Sequence, residues 1–396
     1  MKHLHSRHVF FEGRLQDLVI ECEDDGRIIS TIHYDHLSGE EQEVVIPFDG
    51  ILCPGFINTH CHLELSHLKG EATPGKGMTS FISEIIPLRN KFPKEQISKA
   101  IVEAEQEMLD NGIVAVGDIC NTDHTFEVKA KKRLYYRNFI ELFDLHPSKA
   151  EVVFRQGQAL MTKAPGYSSL VPHAPYTVTP ALLHLIAEEH IGKKAPVCIH
   201  SQESLAESEF FSRSGPIYEA FMKMNMDLSW IPPGRKSSLE YFLSYLMHIP
   251  CVQLVHNTYT SEAGFDYIKN LEPAKGPISR IFLCTCPNAN LFIENKLPDY
   301  SAWVDSGFKI TVGTDSYASN SSLSILDELK TIHSNFPNLK LEALLTWATI
   351  NGAEYLGMSH DLGSFESTRK PGIIHIEGVD MEMRRLTKTS RARRIL

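Results

Sequence analysis

The sequence contains no apolar run near the roughly 18 residues that a membrane-spanning helix needs, and no start resembling a signal peptide. A membrane partner is therefore not expected. Paired cysteines are also missing. The eight cysteines are scattered singly apart from Cys284-Thr285-Cys286, and no second pair exists to complete a metal clip. They are expected as reduced thiols of a cytoplasmic protein, with Cys284 and Cys286 in the core or lining a wall. Positive charge is in deficit: 39 Lys and Arg stand against 49 Asp and Glu, a net charge of -10. That excludes a general nucleic-acid binder. The exception is the C-terminal cluster of Arg384, Arg385, Lys388, Arg391, Arg393 and Arg394, expected as a solvated tail. No glycine-rich phosphate loop follows an early strand, which argues against a dinucleotide-binding sheet. Internal repeats and low-complexity linkers are absent as well.

What is present is an ordinary globular composition, 42% hydrophobic and 22% charged over 396 residues, enough for one large domain and a small one. From about residue 8 to 50 the pattern predicts short strands at Leu18–Cys22, Arg27–Ile32 and Glu43–Ile46, with Asp24-Asp25-Gly26 as a hairpin turn. Gly372–Ile376 offers a matching strand near the other end. Alone the first segment is too small to hold a core, so both ends are expected to fold together as a small β-sandwich domain, residues 1–51 plus 361–396. Between them, over 52–360, short apolar runs alternate with helical stretches. The candidate strands are Ile51–Thr59, Ile113–Asp118, Leu134–Leu142, Ser169–Pro172, Val197–His200, Val252–His256, Ile281–Cys284 and Lys309–Gly313. Ile97, Ile101, Ala104 and Met108 recur at helical spacing before an Asn111-Gly112 stop. Eight buried strands alternating with helices predict an α/β fold, a closed (β/α)₈ TIM barrel.

Chemically capable residues gather at the C-terminal ends of these strands, the face where such barrels form active sites. The first strand leads into His60 and His62, which point to one face of a strand because they are spaced i and i+2. Cys61 between them should face away into the core. The fourth runs into His173, the fifth ends at His200, the sixth at His256, and the eighth leads into Asp315. Neutral imidazoles and one carboxylate make a site for Zn²⁺ or Fe²⁺ with a position open to water. Such a site acidifies its water toward hydroxide near neutral pH, which makes a hydrolase. Glu203, three residues past His200, can reach the same cavity and move a proton. The plainer reading of Glu203 is a helix N-terminal charge. The third and fourth strands carry no interior Lys to bridge a second ion, and Glu141 is the one charged residue near the end of the third, so one metal is expected.

Taken in order, Pro54-Gly55-Phe56-Ile57-Asn58-Thr59-His60-Cys61-His62, Pro172-His173-Ala174-Pro175-Tyr176, His200-Ser201-Gln202-Glu203-Ser204, Cys286-Pro287-Asn288-Ala289-Asn290, Gly313-Thr314-Asp315-Ser316 and Ala348-Thr349-Ile350-Asn351-Gly352-Ala353 resemble the amidohydrolase superfamily. The likeness is to its aromatic deaminase and chlorohydrolase branch, and covers nearly the whole chain. It implies metal ligands at His60, His62, His200 and Asp315, a water-orienting role for His256 and also for Asp315, a ring-protonating acid at Glu203, and a substrate contact at His173. Lys69-Gly70 stands where the branch commonly has Arg-Gly. Leu63-Glu64-Leu65-Ser66 is unlike many adenosine-type members and resembles aminofutalosine-type deaminases; Glu64 within it is a candidate substrate contact. The expected activity is hydrolytic deamination of a small amino-substituted heterocycle, a purine or purine nucleoside, with one Zn²⁺ and Fe²⁺ as the alternative. The rivals are a cyclic-amide hydrolase or chlorohydrolase of the same superfamily, and an inactive metal-binding scaffold. A homo-oligomer is compatible with the sequence.

Overall fold

The computed structural model describes residues 1–234, 237–271 and 281–396. Five strands come first: β1 (Lys2–Phe11), β2 (Arg14–Cys22), β3 (Ile28–His33), β4 (Ile46–Pro47) and β5 (Ile51–Pro54). Eight more then alternate with helical segments: β6 (Phe56–Cys61), β7 (Ile113–Cys120), β8 (Tyr135–Leu142), β9 (Tyr167–Pro172), β10 (Val197–Ser201), β11 (Val252–His256), β12 (Ile281–Thr285) and β13 (Lys309–Val312). The last two are β14 (Ile373–Glu377) and β15 (Arg391–Arg394).

β6 to β9 form one parallel four-stranded sheet and β10 to β13 another. Most of their residues are buried, the continuous pattern of a parallel sheet covered on both faces. The two sheets meet at both edges. At one, the His200 amide donates to the His173 carbonyl at 2.9 Å. At the other, the amides of Thr314 and Asp315 both donate to the His60 carbonyl at 3.1 Å, and Asn58 Nδ2 donates to Thr314 Oγ1 at 2.7 Å. The helix Lys94–Asp110 buries Ile97, Ile101, Ala104 and Met108, as the spacing predicts.

Both chain ends do pair, in one seven-stranded sheet of order β15-β14-β5-β1-β2-β3, with β4 beside β1. Leu4, Val9, Leu18, Ile20, Leu52, Phe365 and Ile373 form its apolar cluster. Four expectations need correction. The first strand is not continuous from Ile51 to Thr59: β5 belongs to the terminal sheet and β6 to the parallel one, and Gly55 separates them. A Cβ on Gly55 would lie 2.2 Å from Val114 Cγ1 and 2.8 Å from the Pro371 carbonyl, so only glycine fits this crossing. Of the strand predicted at Glu43–Ile46 only Ile46 is in a strand, the short β4; Glu43 ends the helix Gly39–Glu43, which a capping box of Ser38 and Glu41 starts. β1 starts earlier than the predicted region; a bulge between Ser6 and Val9 breaks its alternation. The basic C-terminal cluster is not a loose tail. Arg391–Arg394 pairs antiparallel with β14, anchored by Ile395 and Leu396 against the apolar cluster.

No helix among the described residues is long and apolar enough to cross a membrane. None of the eight cysteines forms a disulfide; Cys61, Cys284 and Cys286 are buried in the core, as expected.

Candidate metal and catalytic centre

Strand ends place every histidine of the sequence-derived set. His60 lies within β6, His62 just beyond it, and His200 and His256 close β10 and β11. Asp315 follows β13 by three residues and bridges to Cys61. The backbone is strained here. Gln202 (φ 49°), His256 (φ 71°), Asn257 (φ 47°) and Asp315 (φ 57°) all adopt the left-handed conformation, which is unfavourable for residues with a Cβ. Close approach does the rest: a Cβ on Gly313 would lie 2.7 Å from both Cβ and O of His60.

The side chains converge. His62 Nε2 lies 3.2 Å from His60 Nε2 and 3.3 Å from His200 Nε2. Asp315 Oδ1 lies 3.4 Å from His62 Nε2 and 3.7 Å from His60 Nε2. The ligand atoms of His60, His200, His256 and Asp315 all fall within 4.8 Å of one another. The hydrogen bonds fix two tautomers. His200 Nδ1 sits 2.8 Å from the His173 carbonyl, which only accepts, so Nδ1 carries the proton and Nε2 is bare. His256 Nδ1 likewise faces Asn290 Oδ1 at 2.7 Å, and its Nε2 has no hydrogen-bond partner. Burial pushes His62 down to about 3, against the pull of Asp315, and holds His60 well below the usual imidazole range. Bare lone pairs and a carboxylate packed this closely repel one another unless a cation lies among them. Four ligands on a tetrahedral Zn²⁺ stand about 3.3 Å apart, given Zn–N bonds of about 2.0–2.1 Å. The donor set therefore fits a divalent ion.

Around this cluster stand carboxylates and a further imidazole. Glu203 is 9% exposed; its Oε1 lies 3.4 Å from His256 Nε2. Burial raises it to about 8, with Asp315, Glu207 and Glu294 adding to the shift and His200 opposing it, so the buried carboxyl holds a proton near neutral pH. Ser319 Oγ donates to Asp315 Oδ2. His173 packs its ring 4.9 Å from that of His200 and is hydrogen-bonded to Thr177 Oγ1 at 2.7 Å. Glu64 is brought to the same rim but is already occupied. It pairs with Arg89 at 2.6 Å and accepts from the amides of Asn121 and Thr122 at 3.1 and 2.9 Å, and from Thr122 Oγ1 at 2.8 Å.

Several neighbours were not singled out by sequence reasoning. Asn290, which orients His256, lies inside the Cys286–Asn290 motif and could have been found there. Glu141, 3.6 Å from His200 Nδ1, was noted only as a strand-end charge. Arg89 carries no spacing signal, because it reaches Glu64 across 25 residues, whereas Ser319 and Glu207 stand only four and five residues from the groups they hold, Asp315 and Gln202.

Comparison with known proteins agrees with this geometry. The chain is 27% identical over 350 residues to an adenosine deaminase of Helicobacter pylori, covering 86% of this chain and 81% of that protein. The structure of H. pylori aminofutalosine deaminase with methylthio-coformycin superposes with a TM-score of 0.78 at 22% identity, over 94% of this chain and 91% of the other. A Xanthomonas campestris adenosine deaminase with bound zinc superposes with a TM-score of 0.69 at 20% identity, over 96% and 85%. These two likenesses speak for the fold. The amidohydrolase family model matches residues 51–395, which span the whole convergent site, and the chain belongs to that family.

Proposed function

We propose that this protein is a metal-dependent hydrolase that deaminates an amino-substituted nitrogen heterocycle of the purine-nucleoside kind and releases ammonia. The observation that carries the reading is Glu203: a buried carboxyl 3.4 Å from His256 Nε2, beside the convergent histidines and Asp315. In this reading His60, His62, His200 and Asp315 hold one divalent ion, Zn²⁺ or alternatively Fe²⁺. When bound, the ion acts as a Lewis acid that makes a water nucleophilic near neutral pH. Asp315 and His256 orient that water toward the amine-bearing carbon. Attack puts an electron pair on the adjacent ring nitrogen, and Glu203 protonates it, which avoids an uncompensated charge in a dry site. Asp315 takes the proton of the water and passes it to the departing ammonia. His173 contacts the substrate, with Glu64, held by Arg89, as a second candidate contact. A cyclic amide needs no ring-nitrogen acid, so Glu203 favours deamination over amide hydrolysis. The adenosine deaminase relative supports a purine-type ring.

The same reading takes the two four-stranded sheets as halves of one closed (β/α)₈ barrel over 52–360, supported by the hydrogen bonds across both edges. The terminal sheet, folded over its apolar cluster as a sandwich, makes a second domain of 1–51 plus 361–396. Eight cysteines without a disulfide are consistent with a cytoplasmic enzyme.

The test is an ammonia-release screen across aminated purines, pyrimidines, pterins and nucleosides, with Glu203→Gln run beside the native protein. Ammonia release is expected. Glu203→Gln should keep its fold and metal while kcat falls by roughly 10² or more and KM changes little. A screen without any ammonia release refutes deamination; near-normal kcat in the variant removes Glu203 from the chemistry and favours the cyclic-amide reading.

A further inference from the structure

Ser204-Leu205-Ala206-Glu207 has the sequence of a helix capping box, with Ser204 at the N-cap and Glu207 at the third helical position of Leu205–Phe211. The chain forms that box in full twice elsewhere, at Ser38 with Glu41 and at Ser237 with Glu240. Here it does not form. Ser204 makes no capping hydrogen bond, and its buried hydroxyl has no partner. Glu207, fully buried, reaches past the cap residue instead. Its Oε1 accepts from the Gln202 amide at 3.0 Å and from Gln202 Nε2 at 3.3 Å. Gln202 is held from the other side too, since its carbonyl accepts from the Tyr259 amide at 2.9 Å. Between these two ties it takes φ 49°, a left-handed turn that glutamine does not choose freely. The residue that this turn delivers into the cavity is Glu203.

A helix that forgoes its own cap to clamp a strained turn departs from the local rule at the place where local rules give way to function. We propose that Glu207 is a positioning residue for catalysis. Its carboxylate fixes the backbone at Gln202 so that the Glu203 carboxyl stands over the reacting ring nitrogen. The proposal rests on the role assigned to Glu203 above.

The test combines a double-mutant cycle with metal analysis and crystallography of the metal-loaded protein. Glu207→Ala should lower kcat roughly 10-fold or more, at unchanged metal content and nearly unchanged KM, because the acid is misplaced and the ligands are not. Glu207→Gln keeps an amide oxygen in reach of the Gln202 amide and should restore most of the rate. Should the alanine variant fail to fold, Glu207→Asp, which keeps the charge but falls short by one methylene, is expected to lose the same activity. The deciding measurement is the double variant E203Q/E207A. If Glu207 acts through Glu203, the double variant is no slower than E203Q alone. Multiplying losses, or metal lost in proportion to rate, would overturn the proposal and leave Glu207 a purely structural residue. If E203Q itself proves fully active, the acid role fails, and the E207A crystal structure still decides: a Glu203 carboxyl withdrawn from His256 supports the clamp, and one still at 3.4 Å refutes it.

Discussion

Two histidines of the same cluster should fail differently. His200→Ala removes a bare Nε2 from the middle of the converging set and should lower metal content and activity together. His256 stands beside Glu203 with Nε2 unpartnered, so His256→Ala should keep most of its metal and still lose turnover. Elemental analysis and steady-state rates on both variants check this; equal metal loss in the two would abolish the division of roles. A second residue-scale prediction lies just outside the site. Asp118 Oδ1 accepts the Leu63 amide at 2.8 Å, directly after the second histidine of the pair, and Asp118 is neutralised by the buried Lys129 at 2.5 Å. Lys129→Met leaves a carboxylate buried without its partner and should destabilise the fold by about 3–5 kcal/mol, measured by urea unfolding. The histidines and Asp315 were legible because each terminates an apolar run with an unexpected polar side chain. Asp118 and Lys129 were not, since a charge in a strand and a charge in a short helix look alike whether paired or solvated.

At the scale of elements, the parallel strands were readable from their apolar runs and the helices from their spacing, while the terminal sheet was readable only in part: β2, β3 and β14 were, the start of β1 and the strand β15 were not. β5 and β6 lie in one mostly apolar stretch broken by Pro54-Gly55, and why the chain crosses there is a steric fact about Gly55 that the neighbouring Val114 reveals. Glycine governs β13 in the same way. Gly313 brings that strand end against His60, with room for no side chain. Gly313→Ala should therefore push His60 out of line and weaken metal binding roughly 10-fold or more, as disturbing the support of a ligand commonly does. Competition with a chromophoric chelator measures it, and native affinity in the variant would show that the two strands can part without consequence. Lys69, where the family pattern suggests arginine, lies 3.9 Å above the Tyr317 ring and 4.0 Å from Glu107, whose carboxylate also receives the Tyr317 hydroxyl. The cation thus braces the loop that follows Asp315.

For the whole molecule, the second candidate group among the described residues, Glu141, His173 and His200, shares His200 with the first, and β8 and β9 carry no lysine to bridge two ions, so about one tightly bound divalent ion per chain is predicted. Elemental analysis giving two, both needed for activity, would refute it. Because the ion binds only the folded cluster, its removal by a chelator should lower the melting temperature, by an amount that grows with the logarithm of metal concentration. The arrangement of the terminal sheet has a consequence for how the protein is made. β5 lies between β1 and β14, and Cys53 pairs with Ile374 across the two parallel sheets that intervene in sequence. During synthesis on the ribosome, β5 therefore presents an open edge while more than three hundred residues are still to be added. An unpaired apolar strand edge is a template for wrong partners. Such a chain should depend on chaperones that shield nascent strands, and it should refold slowly from denaturant, because the β5–β14 pairing joins residues more than three hundred apart.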